Sequence, residues 1–453
     1  MGADTTEKKS GFRLFEKGCG FRAGAKDLLK YTNGSTLSSA IISTIFGCTG
    51  PCLVTIAASE AAGFTTAETV SWIFGIYVFG GLLGAIMSLY YKMPISGAFS
   101  IPGATLMGTA LAGYSFQEAA GAFVIAGVIV LLLGVTGLIG KVMRWLPLPI
   151  VMGMIGGCML KFGTQIVTGI NTLPIVCGLA VLAFLLVPRV IKGFPGVLAA
   201  LVVGVIAAIV TNSFAGEVGE LVYTPPMLVV PQFNPNLILS CSLPLAALVV
   251  GAENAQAMGV LKAQGYNVPA NAMTVASGIG GIISGLVGAH NANIAGPMTA
   301  ICASEEAGPK EGRYAASFWN GVTFAAFGLV GSFTIAFVSF IPSELVNVLA
   351  GLAMLNVLIQ AFNEGFGTLK YKTGAFFALC VGASGLSFLG IGSAFWALVA
   401  GVVVSAICDR KDFKTDSAVV EQAGCASGIS IYRYTGEGTA CGHHQLLYRN
   451  IRR

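Results

Sequence analysis

Residues 94–111 read PISGAFSIPGATLMGTAL, and residues 289–307 read AHNANIAGPMTAICASEEA. Both stretches are apolar, yet both are too short and too rich in Gly, Pro, Ser and Asn to form one continuous helix. Their centres, SGAFSIP at 96–102 and AHNANIA at 289–295, predict two short strands paired near mid-depth of a membrane. Each strand is expected to lead into a half-helix, starting near Gly103 and near Gly296. Extended backbone at that depth leaves N–H and C=O groups without helical partners, and it survives only where protein or a water-filled cavity satisfies them. The plainer alternative is a pair of kinked helices packed through Gly and Pro.

The surrounding composition demands a membrane. Hydrophobic residues make up 55% of the 453 and charged residues only 10%, with a mean hydropathy of +0.81. A soluble surface needs far more charge. A span takes about 20 apolar residues, and residues 35–408 are almost continuously apolar. Helices are predicted near 36–60, 67–91, 117–140, 147–168, 173–188, 195–213, 240–262, 270–286, 314–340, 343–362, 373–389 and 392–408. With the two broken segments the expected count is fourteen. Basic loop residues belong on the cytoplasmic side, and the count places them there. Lys92, Lys141, Arg144, Arg189, Lys192, Lys262, Lys310, Arg313, Lys370, Lys372, Arg410, Lys411 and Lys414 all follow even-numbered spans. Glu60, Glu68, Glu118, Glu217, Glu220 and Glu344 fall in the opposite loops. Both termini are therefore expected in the cytoplasm, and no cleavable leader is expected in the polar first 34 residues, which hold seven Lys/Arg.

The two halves echo each other. Trp145-Leu146-Pro147, Val151, Gly156 and Met159-Leu160 recur as Phe340-Ile341-Pro342, Val346, Gly351 and Met354-Leu355 at a constant offset of 195. Gly97-Ala98 before Ile101-Pro102-Gly103 likewise matches Gly288-Ala289 before Ile294-Ala295-Gly296. Seven spans per copy is an odd number, so the second copy inserts upside down. Inverted repeats broken at the same place are a transporter signature, with substrate held between the breaks. The matched breaks are also what disfavours two incidental kinks. The expected organisation is a cytoplasmic segment 1–34, a first repeat 35–213, an outer loop 214–239, a second repeat 240–408 and a flexible cytoplasmic tail 409–453.

Few groups within these spans can carry chemistry. Glu253, in GAENAQAMG, is a candidate proton carrier or substrate ligand, or a structural Glu bonded to unwound backbone; intramembrane carboxylates are seldom idle. Lys161, about fourteen residues and ~20 Å into its helix, either neutralises an anion, pairs with Glu253, or snorkels to the outer interface. His290 is a candidate proton relay or a hydrogen-bonding prop for the broken backbone. Ser96, Ser100, Asn254, Asn291 and Asn293 are neutral contacts, Phe99 a stacking surface, and the half-helix starts around Gly103, Ala104 and Gly296 anion-binding amides. There is no nucleophile–base set, no phosphate-binding glycine loop and no standard zinc spacing, so neither an enzyme, a cofactor nor a metal is expected. The scattered cysteines look like small hydrophobes, and Cys425, Cys441, His443 and His444 do not match zinc-site spacing. The basic residues sit in loops and tails, so nucleic acid is not expected as a partner.

Beyond the breaks, MLKFGTQ at 159–165, ENAQAMGVLKAQGYNVP at 253–269, PMTAICASEEAGP at 297–309, LAGLAML at 349–355 and ASGLSFLGIGSAFWALVAG at 383–401 resemble the benzoate:proton symporter (BenE-type) family of bacterial inner-membrane proteins. The resemblance covers roughly residues 30–410 and implies an all-α polytopic fold similar to nucleobase–ascorbate transporters: fourteen segments, a core and a gate domain, and substrate between spans 1, 3, 8 and 10. It implies proton-coupled uptake of benzoate or a similar small aromatic or organic anion. Glu253 departs from the family's glutamine and matches a substrate-holding glutamate of the nucleobase carriers, so a nucleobase:proton symporter stays open. A sulfate-type anion exchanger or channel on the same fold stays open too. The expected partners are the small organic anion, protons and the bilayer, and the expectation extends to a homodimer.

Overall fold

The computed structural model describes residues 15–138, 147–191, 194–214, 223–368, 370–386, 388–389 and 393–413. Lys141, Arg144, Trp145, Leu146, Lys192, Glu217, Glu220, Lys414 and the tail cysteines and histidines lie outside the described residues.

The chain is mostly helical. Amphipathic α1 (Phe21–Tyr31) is followed by α2 (Gly34–Cys48) and α3 (Gly50–Ala62), which meet at Thr49 just before Pro51. Helix α4 (Thr66–Tyr91) contains a π-helical stretch, Gly75–Phe79. Strand β1 (Gly97–Ala98) and α5 (Ile101–Ala110) come next, then α6 (Phe116–Thr136), α7 (Leu148–Thr172), α8 (Pro174–Val190) and α9 (Gly196–Val210). Helix α10 (Pro235–Ala263) carries π-helical stretches at Ile238–Ser242 and Val249–Asn254. The first precedes Pro244, which has no N–H to keep an α-helical ladder regular. The chain continues with α11 (Ala270–Gly285), β2 (Asn293–Ile294), α12 (Gly296–Ala303), α13 (Tyr314–Leu329), α14 (Gly331–Phe340), α15 (Ser343–Phe366), α16 (Lys372–Ala383) and α17 (Ser393–Cys408).

Sequence-local chemistry sets the ends. Asn33–Thr36, Thr65–Glu68 and Ser115–Glu118 each form a capping box that starts α2, α4 and α6, satisfying backbone donors that a helix start leaves free. Six described helices are long and apolar enough to cross a membrane, or seven if a bent pair counts as one. That pair corrects the straight helix expected at 314–340: α13 and α14 meet at Val330 with a 64° bend.

Helices α7, α8, α9, α15, α16 and α17 pack mainly on one another. The rest form a second body in which α11 lies along α6, and α13 lies along α2 and α4. Helix α3 touches both bodies, through α5 and α15. At one end Lys92 pairs with Asp27 at 2.6 Å, the Lys310 Nζ donates to the Gly265 carbonyl, and buried Arg313 donates to Gly308, Ala303 and Gln264. Three of the expected loop cations thus gather at one end and are bound into the structure. The tail begins in order: the Asp409 and Asp412 carboxylates accept the backbone N–H groups of Gly374 and Tyr371.

The strands pair antiparallel, Gly97 opposite Ile294 and Ala98 opposite Asn293. They are shorter than the seven residues expected of each. Ser100 ends the first by capping α5, its Oγ accepting the Gly103 N–H at 3.1 Å. Hence α5 starts at Ile101, two residues before the expected Gly103, with Pro102 tolerated in its first turn.

Candidate functional site

The paired strands bring the starts of α5 and α12 together. Ala295 N–H donates to the Ser96 carbonyl at 3.0 Å, the Ser96 N–H donates to Thr299 Oγ1 at 3.2 Å, and the Ser96 and Ser317 hydroxyls share a 2.7 Å bond. Close approach of α4 makes this possible. A Cβ on Gly80 or Gly84 would strike the backbone of Ala98 or Gly97.

Glu253 reaches this junction from the second π-helical stretch of α10, which carries one residue more per turn than an α-helix. It is 4% exposed. Its Oε2 accepts the Gly296 N–H, the first of α12, at 3.3 Å. Ile101, the first residue of α5, lines the same small cavity as Glu253, so the carboxylate also faces the start of that helix. One side chain therefore meets a free donor of one half-helix and sits beside the positive dipole ends of two.

His290 stands behind the strands. Trp72 Nε1 donates to its Nδ1 at 2.8 Å, and its Nε2 lies 2.9 Å from the Ser100 carbonyl. An indole N–H can only donate and a carbonyl can only accept. The network therefore assigns a neutral ring with its hydrogen on Nε2. The edges of Trp72, Phe99 and Phe123 close around it.

Asn291 Oδ1 accepts the Ser100 N–H, and Asn254 Oδ1 accepts from Ser277, whose oxygen takes the Ile294 N–H. Among the described residues the side-chain nitrogens of Asn254, Asn291 and Asn293, and the Asn293 oxygen, have no partner. Leaving a buried polar group unmet costs ~1–3 kcal/mol. A cavity of about 10 Å³ adjoins Glu253 and Ile101 and is otherwise walled by carbon from Phe46, Pro51, Phe99 and Met298. That holds about one water.

The structure thus gathers Ser96, Phe99, Ser100, Glu253, Asn254, His290, Asn291, Asn293 and Gly296. Gly103 and Ala104 lie one turn into α5, and the Gly103 N–H is taken by Ser100. Lys161 lies on the exposed face of α7 and makes no ion pair with Glu253 among the described residues. Sequence reasoning missed Ile101 and Phe46 on the cavity wall, Trp72, and Gln256, whose amide fills the space beside Gly296. Of these, only Trp72 left a signal: a buried indole N–H needs an acceptor.

Comparison with known proteins agrees in kind. The family described as "Benzoate membrane transport protein" matches residues 30–407. The chain is 30% identical over 385 residues to the inner membrane protein YdcO of Escherichia coli K12, covering 83% of this chain and 98% of that one. It is 26% identical over 374 residues to the benzoate membrane transport protein of Acinetobacter baylyi, covering 82% and 94%. Among solved structures, it resembles the transmembrane domain of a cyanobacterial bicarbonate transporter, BicA, with TM-score 0.53 and 16% identity over 81% of this chain and 97% of that one. It also resembles SLC26A9, with TM-score 0.59 and 14% identity over 85% and 67%. These likenesses show a shared fold.

Proposed function

The chain belongs to the benzoate membrane transport protein family, and from that premise we propose that it takes up benzoate, or a similar small aromatic acid, together with protons across a bacterial inner membrane. It is a multi-pass transporter and not an enzyme. The proposed arrangement is fourteen segments in two inverted repeats, with both termini cytoplasmic and the six-helix body of α7–α9 and α15–α17 moving as a gate against the rest.

One observation carries this reading: a single buried carboxylate, Glu253, bonds the start of one half-helix and faces the start of the other across a cavity walled by Phe46 and Phe99. Half-helix starts suit a carboxylate substrate and the rings suit its aromatic body. The free amides of Asn254, Asn291 and Asn293 supply further donors. An inside-negative potential opposes anion entry by about 2.3 kcal/mol per charge per 100 mV, and a co-moving proton removes that opposition. Glu253 is the proposed proton carrier. His290, with both ring nitrogens engaged, is assigned the smaller part of holding Ser100 and the first break in place. Lys161 is left outside the substrate set because α7 presents it on an exposed face.

Labelled benzoate uptake into proteoliposomes, with and without an imposed pH gradient, tests the proposal. The expected result is accumulation only under the gradient, with loss of that dependence in Glu253→Gln. Equal uptake in both conditions removes the symport. Competition by uracil or xanthine, but not benzoate, selects a nucleobase carrier; conductance far above carrier turnover selects a channel.

A further inference from the structure

We infer that Glu253 is a tethered counterpart of the substrate's own carboxylate, holding the anion position until a proton lets it yield that position to the incoming anion. The inference rests on the anion-transport reading above and adds how proton and substrate are linked. The Gly296 N–H that starts α12, beside the start of α5 at Ile101, is what an organic carboxylate would seek. In this structure Glu253 already accepts that N–H and faces the start of α5. Two ionised carboxylates cannot share this one position between the half-helix starts, because like charges at contact repel strongly away from water.

Glu253 has two ways to yield. It could swing aside while charged, but the adjoining space is small and its far wall is carbon from Phe46, Pro51, Phe99 and Met298; an ion placed there loses its donors and gains none. It could instead take a proton from solution on one carboxyl oxygen, releasing its claim on the Gly296 N–H and gaining an O–H that can donate to the arriving carboxylate. The second route binds one proton for each anion, and both leave together when the donors return to Glu253.

The neighbouring elements supply no rival. His290, before β2, has both nitrogens occupied. On α2, α3, α10 and α12 stand the thiols Cys48, Cys52, Cys241 and Cys302, and on α4 the phenols Tyr77, which donates to the Gly47 carbonyl, and Tyr90 and Tyr91 at its C-terminal end. Glu60, Glu68 and Lys262 sit at the far ends of α3, α4 and α10. Helices α5 and α11 carry no ionisable side chain.

Two measurements on the purified full chain in nanodiscs separate this inference from the substrate assignment. The first uses formate, the smallest free carboxylate, as a probe. Formate should raise the Tm of Glu253→Ala, and of Glu253→Gln if the alanine variant does not fold, while leaving the wild type unmoved above neutral pH. The second is benzoate binding as a function of pH. Wild-type affinity should fall about tenfold per pH unit once Glu253 is ionised, whereas Glu253→Gln should bind with no such slope and more tightly than wild type at about pH 8. Formate that stabilises neither variant, or a Glu253→Gln variant that binds benzoate more weakly at every pH, overturns the tethered-carboxylate inference. Formate rescue with no benzoate binding in any form keeps it and discards benzoate as the substrate.

Discussion

Replacing Gly97 by alanine tests how tightly the first break is clamped. A Cβ built at Gly97 lies 2.5 Å from the Gly84 nitrogen and 3.0 Å from its Cα, with the Gly80 carbonyl oxygen nearer still. All three are backbone atoms of α4, so no side chain can rotate away. Overpacking a well-filled site costs ~1–3 kcal/mol, and rigid atoms on two sides put this case at the upper end. The alternative is for β1 to shift off α4, which drags the start of α5 away from the cavity that it shares with Glu253. Gly259 on α10 provides the control, because nothing lies within 4 Å of its built Cβ. There alanine should stabilise by roughly 0.5–1 kcal/mol through helix propensity alone. The assay pairs thermal denaturation of the detergent-solubilised protein with labelled benzoate uptake in proteoliposomes. Gly97→Ala should lower Tm and abolish uptake, and Gly259→Ala should do neither. A Gly97→Ala protein with wild-type Tm and uptake would show that helix and strand can part freely, refuting the clamp.

Trp72→Phe strands the Nδ1 of buried His290 and should cost ~1–3 kcal/mol, measurably more than Trp319→Phe, whose N–H bonds Thr32 in a half-buried setting; equal losses in denaturation would defeat the argument from burial. Asp409 lies just past α17. Burial works to raise its pKa, but hydrogen bonds from the Gly374 and Thr373 backbone and the Ser405 and Thr373 hydroxyls outweigh it and hold the carboxyl below its ordinary value of 3.8. A folded pKa that is depressed contributes stability above the unfolded value, lost as pH falls through the folded one. Asp409→Ala should therefore lose about 0.5–2 kcal/mol at neutral pH, as for other lost helix caps, and its gap to wild type should narrow as the pH drops below about 4. A gap unchanged into that range, followed by thermal denaturation, would contradict the assignment.

The sequence made the breaks legible because Gly, Pro, Ser and Asn interrupt an apolar run where lipid permits no interruption. Element positions followed from the same punctuation. The details that escaped depend on partners distant in the chain. That Ser100 would cap α5, moving its start to Ile101, required knowing that the strand stops after Ala98. The bend at Val330 has no Pro to announce it, and Gly331 resembles many glycines that sit harmlessly in helices here. Lys161 shows the limit of position along a helix: depth can be counted from sequence, but the face it occupies is set by what α7 packs against. Trp72 and His290 each signal a polar group in need of a partner, but that they partner each other is decided by the fold.

The pairing of Ala98 with Asn293 also bears on biogenesis. At ordinary synthesis rates of 5–20 residues per second, the first strand emerges roughly 10–40 s before its mate. Through that interval it has an unpaired edge and no Glu253 to occupy the start of α5, and exposed peptide groups in hydrocarbon cost several kcal/mol each. The first broken segment must therefore wait in a hydrated place, sheltered by the insertion machinery or by already threaded helices, and settle only when the second arrives. Closure of the transport site is then a late event of assembly, so a ribosome stalled shortly before codon 293 leaves a chain whose helices are largely inserted but whose centre has not formed.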